Sequence, residues 1–175
     1  MKKLFAILLA VALLASVAIV ASAATTTTLT TTVPSASYTL NIPADQEIPF
    51  GATTTNIGHV TVSNSTGFAD GKNLQVTMTY GAFECPGVST KIPLRLVAKT
   101  TNRNWSVNLN SNDTLTFYGD YTGSVDENAS FYQNGHDEWF DMTELNVCVD
   151  SSDWGKALAG DYTATITFTT EVVAE

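Results

Sequence analysis

The sequence predicts an all-β chain that folds as a single two-layer sandwich of about seven to nine antiparallel strands. Three observations lead there. In the closing segment Tyr162, Ala164, Ile166, Phe168 and Val172 alternate with Thr163, Thr165, Thr167, Thr169 and Glu171, the period of a strand with one buried and one wet face. Short alternating runs recur along the chain with turn residues between them, and helical signals are confined to one short stretch. The closing strand is also approached by Leu158-Ala159-Gly160-Asp161-Tyr162. That spacing matches a tyrosine corner, in which a Tyr at a strand's start hydrogen-bonds back to the preceding turn.

The corner specifies the sandwich further, as an immunoglobulin-like Greek key, with Leu158, Gly160 and Tyr162 as its structural residues. An antibody-type domain is excluded, because the position two residues after the corner Tyr is Ala164 and not Cys.

Before the sandwich comes a leader. Met1-Lys2-Lys3 is basic, Leu4 to Val20 is apolar except for Ser16, and Ala21-Ser22-Ala23 supplies small residues for cleavage. This reads as a secretory signal over residues 1–23, with a retained membrane anchor as the alternative. After cleavage no integral membrane span is expected. Residues 24–36 form a Thr-rich arm, too poor in large apolar groups to fold alone yet β-compatible because threonine is β-branched. The sandwich is expected over residues 37–175.

Its strands follow in order. Tyr38, Leu40 and Ile42 alternate with Thr39 and Asn41; Val60 pairs in parity with Val62; Leu74, Val76, Met78 and Tyr80 alternate with Gln75, Thr77 and Thr79. Ile92, Leu94, Leu96 and Ala98 make the next apolar face, then Trp105, Val107 and Leu109, Leu115 with Phe117, and Leu145, Val147 and Val149. Ser63-Asn64, Asp70-Gly71, Cys85-Pro86-Gly87, Asn110 to Asp113 and Gly119-Asp120 supply the turns. Ser152 to Leu158 predicts one or two helical turns with a capping Ser or Asp.

The chain carries 17 acidic and 8 basic side chains, a net charge of −9. Losing Lys2 and Lys3 with the leader leaves six basic groups and −11. A phosphate-binding surface needs the opposite sign, so nucleic acid is excluded as a partner. Two cysteines in a secreted chain, Cys85 and Cys148, predict one disulfide, and closing a loop of that length stabilises by about 4 kcal/mol. Cys148 shares its parity with Asn146 and Asp150, which places the expected bridge on a strand's outer side.

Candidate chemistry concentrates between Asn104 and Gly155, where no Lys or Arg occurs and carboxylates accumulate. Asp126, Asp137 and Glu138 are the candidates for calcium, which takes several converging oxygens, but the spaced Asp loop that enforces convergence is absent and no metal is expected. Tyr118, Tyr121, Tyr132 and Trp139 are candidate ligand-binding rings, since aromatic faces beside Asn, Asp and Gln suit sugar rings. His59 shares the parity of Thr61 and Ser63 and is expected to face solvent, and His136 is expected in a polar loop. No Ser-centred elbow, Gly-rich phosphate loop or paired-His spacing is present, so neither catalytic residues nor a cofactor is expected.

Tyr38-Thr39-Leu40-Asn41-Ile42-Pro43-Ala44, Gly58-x-Val60-x-Val62, Gly71 to Met78 and Ala159 to Phe168 together resemble the secreted adhesin-like and pilin-like sandwich domains of Gram-positive bacteria. The resemblance implies a non-catalytic, secreted or cell-surface structural or adhesive protein. It would meet a cell-surface or extracellular protein or glycan through its loops, chiefly Gly119 to Asp153, or self-associate through the arm by strand addition. A carbohydrate-binding module using the acidic, aromatic region 118–153 is the alternative.

Overall fold

The structure is a computed structural model and describes residues 29–31, 35–99, 106–133, 136–139 and 143–174. The signal segment and most of the Thr-rich arm lie outside the described residues. The chain divides into Met1–Thr32 and Val33–Glu175, and the described strands belong to the second unit. They are β1 (Ser37–Asn41), β2 (Thr54–Thr66), β3 (Lys72–Tyr80), β4 (Arg95–Lys99), β5 (Ser106–Leu109), β6 (Thr114–Phe117), β7 (Ser130–Gln133), β8 (His136–Trp139), β9 (Thr143–Cys148) and β10 (Ile166–Ala174).

Two five-stranded antiparallel sheets result, ordered β1-β2-β9-β4-β5 and β10-β3-β6-β7-β8. Their inner faces meet in one apolar core. Val60 and Val62 of β2, Leu145 and Val147 of β9, and Leu96 and Ala98 of β4 face Leu74, Val76 and Met78 of β3 and Leu115 and Phe117 of β6, all buried. Each such Leu or Phe stabilises the fold by about 1.5–3 kcal/mol through the surface it removes from water. The alternation visible in the sequence is therefore the alternation between core and exterior.

Ten strands are described where seven to nine were expected. The additional pair is β7–β8, a hairpin whose register runs from Ser130↔Trp139 to Gln133↔His136. It lies in the stretch expected to be loop, so His136 belongs to a strand and not to a polar loop. His-Asp-Glu-Trp carries no apolar alternation to mark it as a strand, and among the described residues it stands at the edge of its sheet.

Strand β2 is longer than its two valines announce. Its pairing with β9 shifts between Asn56 and Gly58, and this bulge inserts one residue, so Thr54 and Asn56 precede it on the outer face while Val60 and Val62 follow it on the inner face. Gly58 is required there, because its φ of 115° is open to glycine and strained for other residues. Its N–H donates to Asn56 Oδ1 over 2.8 Å.

The closing strand begins later than expected, at Ile166, and Thr163 pairs instead with Glu84 in an isolated bridge. Ile166 and Phe168 pack on the core, Thr170 takes the next inward position by bonding to Tyr38, and Val172 is 40% exposed. The inward row thus passes through a satisfied polar contact at Thr170, and Val172, expected on the buried face, is exposed. Before this strand, the Leu158 N–H donates to Tyr162 Oη over 3.3 Å, across the turn that holds Gly160.

The helix is a single turn, α1 (Ser151–Trp154), shorter than the predicted stretch. Asp150 is its N-cap residue but makes no side-chain cap bond. Its Oδ1 accepts from Arg95 Nη2 at 3.0 Å instead. Trp154 anchors the turn: its Nε1 donates to the Ala52 carbonyl at 2.8 Å, and its ring meets Phe50 edge-on at 5.4 Å.

Candidate functional site

The outer face of the first sheet is a polar surface laid out in rows by strand register. Because directly opposite residues of antiparallel strands project to the same side, the pairings set three such rows. Thr54, Cys148 and Arg95 form one, Asn56, Asn146, Val97 and Asn108 the next, and His59, Glu144, Lys99 and Ser106 the third. Between them lies a groove of about 320 Å³ lined by Thr54, Val97, Lys99, Ser106, Asn108, Asn146 and Cys148. Asn146 is 7% exposed although it projects away from the core, and its Nδ2 donates to Glu144 Oε1 over 3.0 Å. The groove floor is therefore a fixed amide, held by a carboxylate on its own strand.

His59 was expected to face solvent. It lies on the outer face, but its Nδ1 is buried and has no hydrogen-bond partner among the described residues. The sequence showed the parity of this residue and not what surrounds it.

The expected Cys85–Cys148 bridge is not formed; both are free, partly buried thiols. The two side chains belong to different surroundings. Cys148 ends β9 on the sheet's outer face, with Sγ 3.6 Å from Thr54 Oγ1. Cys85 opens a turn closed by the Val88 N–H on its carbonyl, and its sulfur lies against Gly160.

The aromatic ligand candidates fall in two places along the chain, Tyr118 and Tyr121 at the turn after β6 and Tyr132 and Trp139 in the β7–β8 hairpin. Tyr118 follows β6, partly buried, with its carbonyl accepting from the Asp126 N–H at 2.9 Å. Tyr121 stands at the tip of the next turn, 95% exposed. Tyr132 belongs to β7, paired in register with Asp137, and Trp139 to β8, paired with Ser130. The aromatic contacts described lie elsewhere, between Tyr38 and Phe68, Phe50 and Trp154, and Phe83 and Trp154.

The acidic turn after β6 is organised by its own backbone. Asp120 Oδ1 accepts from the Thr122 hydroxyl at 2.7 Å, the Thr122 N–H at 2.8 Å and the Ser124 N–H at 3.0 Å. These bonds, led by the Thr122 hydroxyl, hold the Asp120 carboxyl below its usual range. Asp126, a calcium candidate, is pushed the other way, first by partial burial and then by the charge of Asp120. Among the described residues no three His, Cys, Asp or Glu side chains converge as metal ligands would.

A second feature lies at the edge of the other sheet. β10 pairs with β3 without a register shift, from Ile166↔Tyr80 to Ala174↔Lys72, and no strand flanks its far side among the described residues. At nine residues it exceeds the other three edge strands, β1, β5 and β8, which have five, four and four.

The fold is thus a two-sheet, all-antiparallel β protein with a polar groove on one sheet and a long open edge on the other. Comparison with protein-family models, curated proteins and solved structures finds no match to the chain. No helix among the described residues is long and apolar enough to cross a membrane.

Sequence reading missed the groove because its residues come from four strands. Asn146 and Cys148, set apart from the apolar parity of β9, were its one visible trace.

Proposed function

We propose that this chain is a secreted, non-catalytic structural or adhesive protein of the cell surface, built on an immunoglobulin-like Greek-key sandwich, that assembles by accepting a strand along the free edge of β10. The observation that carries the reading is the character of that edge. Proteins ordinarily guard an exposed strand edge with Pro, Lys, a bulge or shortness, because its unpaired N–H and C=O groups template another strand. Ile-Thr-Phe-Thr-Thr-Glu-Val-Val-Ala has no Pro, no Lys and no bulge, and Glu171 is its one charge.

The occupant we assign is the arm of a second copy. Ala24 to Thr32 is nine residues long, as β10 is, and is mostly β-branched threonine. A segment of that kind gives up its conformational freedom on pairing in exchange for a ladder of main-chain hydrogen bonds, which is the economy of strand addition. The arm of one copy on the edge of the next is a head-to-tail contact, which propagates as a fibre when it does not close into a ring. The immunoglobulin-like reading is favoured by the Leu158–Tyr162 bond, and the adhesin-like role rests on the resemblance of the strand sequences.

The test is sedimentation velocity on the secreted chain with and without Ala24 to Thr32. The intact chain is expected to form concentration-dependent oligomers, and the deleted chain to sediment as a monomer. Equal sedimentation of the two at every concentration rules out arm exchange.

A further inference from the structure

We infer that the groove on the outer face of the first sheet is a binding site for a neutral oligosaccharide. This site is separate from the β10 edge, and its described lining includes none of the aromatic residues of region 118–153.

The chemistry of the lining selects the ligand class. Thr54, Ser106, Asn108 and Asn146 present hydroxyls and amides, groups that both donate and accept. Among the described residues Lys99 is the one cation of the lining, and Glu144 is its register partner on β9. An anionic ligand such as a phosphate would meet one ammonium beside a carboxylate, on a chain whose net charge is −9. Among the described lining residues an apolar ligand or peptide would find Val97 as the single aliphatic side chain. A neutral ligand dense in hydroxyls matches the hydroxyls and amides of Thr54, Ser106, Asn108 and Asn146, and Val97 offers a small apolar spot for the C–H face of a sugar ring.

The geometry is already set before a ligand arrives. A volume of about 320 Å³ lies at the lower end of small-molecule sites, about 300–1,000 Å³. The lining side chains stand on β2, β4, β5 and β9, which are tied into one sheet, so their spacing follows from strand separation and not from loop conformation. Asn146 is held by Glu144 at 3.0 Å and almost fully buried. Its amide is ordered in advance, which lowers the entropy cost of binding.

The experiment is a two-dimensional amide NMR titration of the secreted chain with cellotetraose, chitotetraose, maltotetraose and mannotetraose separately, each to millimolar concentration, with inorganic phosphate as the ionic comparison. At least one sugar is expected to shift the resonances of Val97, Lys99, Asn108 and Asn146 saturably, with phosphate leaving them in place. Asn108→Ala, an exposed position whose loss spares the core, is expected to weaken that sugar about tenfold, as the loss of a ligand hydrogen bond does. Tyr121→Ala is expected to leave it unchanged. Absence of shifts from all four sugars overturns the inference, as do shifts centred on Tyr118 and Tyr121 or a larger response to phosphate.

Discussion

The hydroxyl of Tyr38, on β1, donates to Thr170 Oγ1, on β10, over 2.8 Å. The two strands are edge strands of different sheets, so this bond ties the sheets together along one side of the sandwich. It also explains how a threonine occupies an inward position of β10: a hydroxyl turned from water costs little when it has a partner. Tyr38→Phe is expected to cost about 1 kcal/mol in urea unfolding, because it leaves the threonine hydroxyl unmatched. Adding Thr170→Val should recover most of that loss, since two apolar partners leave no polar group stranded. A double variant as unstable as the sum of its parts would show that the bond contributes nothing.

A packing relation at the closing loop gives a sharper result. A Cβ built on Gly160 would stand 2.5 Å from the Cys85 sulfur, too close for either atom to remain in place. Gly160→Ala is therefore expected to destabilise by about 1–3 kcal/mol, the usual range for overpacking. Cys85→Ala in the same chain should relieve the overpacking by removing the sulfur, leaving the backbone strain of a non-glycine residue at φ 155°. Equal melting temperatures for Gly160→Ala and the native protein would refute the contact.

Thiol chemistry checks the state of the two cysteines. Both are free in the structure, so a thiol-reactive chromophore added in denaturant without reductant should count two thiols per chain. A count of zero, restored to two by reductant, would mean that the chain closes the bridge its sequence predicts.

The turn after β6 makes stability depend on pH in two opposed ways. The Asp126 carboxyl is raised from its usual value of 3.8 by partial burial and by Asp120. The folded state therefore holds that proton more tightly than the unfolded state, and stability falls as pH rises from about 3.8 through the raised value. Asp120 is lowered, so its contribution is present above the unfolded value and is lost as pH falls through its folded one. Asp126→Asn should raise the melting temperature slightly at neutral pH and leave it unchanged in acid below 3.8. A gain that persists undiminished in acid would assign the effect to something other than ionisation.

Core substitutions supply the scale for these smaller effects. Phe117 is fully buried among β3 and β6 neighbours, and Phe117→Ala is expected to cost about 3–5 kcal/mol through lost burial and the cavity left behind. Tyr121→Ala, at a 95% exposed ring, should change stability by less than about 0.5 kcal/mol. The ratio of the two in one urea series measures how far the alternation of the sequence maps onto burial.

Much of the fold was legible in single residues. The apolar parities of Leu74 to Met78, Leu96 with Ala98, and Leu145 with Val147 are the core faces of β3, β4 and β9. The edge hairpin β7–β8 was not legible, because His136-Asp137-Glu138-Trp139 offers no apolar alternation from which a strand could be read. The groove was less legible still: Thr54, Lys99, Asn108 and Asn146 are ordinary polar residues until register sets them side by side.

By itself, the sequence determined which side of most strands would be dry and where the chain would turn, because hydrophobic period and turn chemistry are local properties. Tertiary structure alone decided the strand order, the bulge that reverses parity between Asn56 and Val60, the different surroundings of Cys85 and Cys148, and the neighbours of each polar side chain. The reason is physical: burial needs only an apolar face, whereas a site needs particular groups at fixed separations, and those separations arise from pairings between strands far apart in the chain.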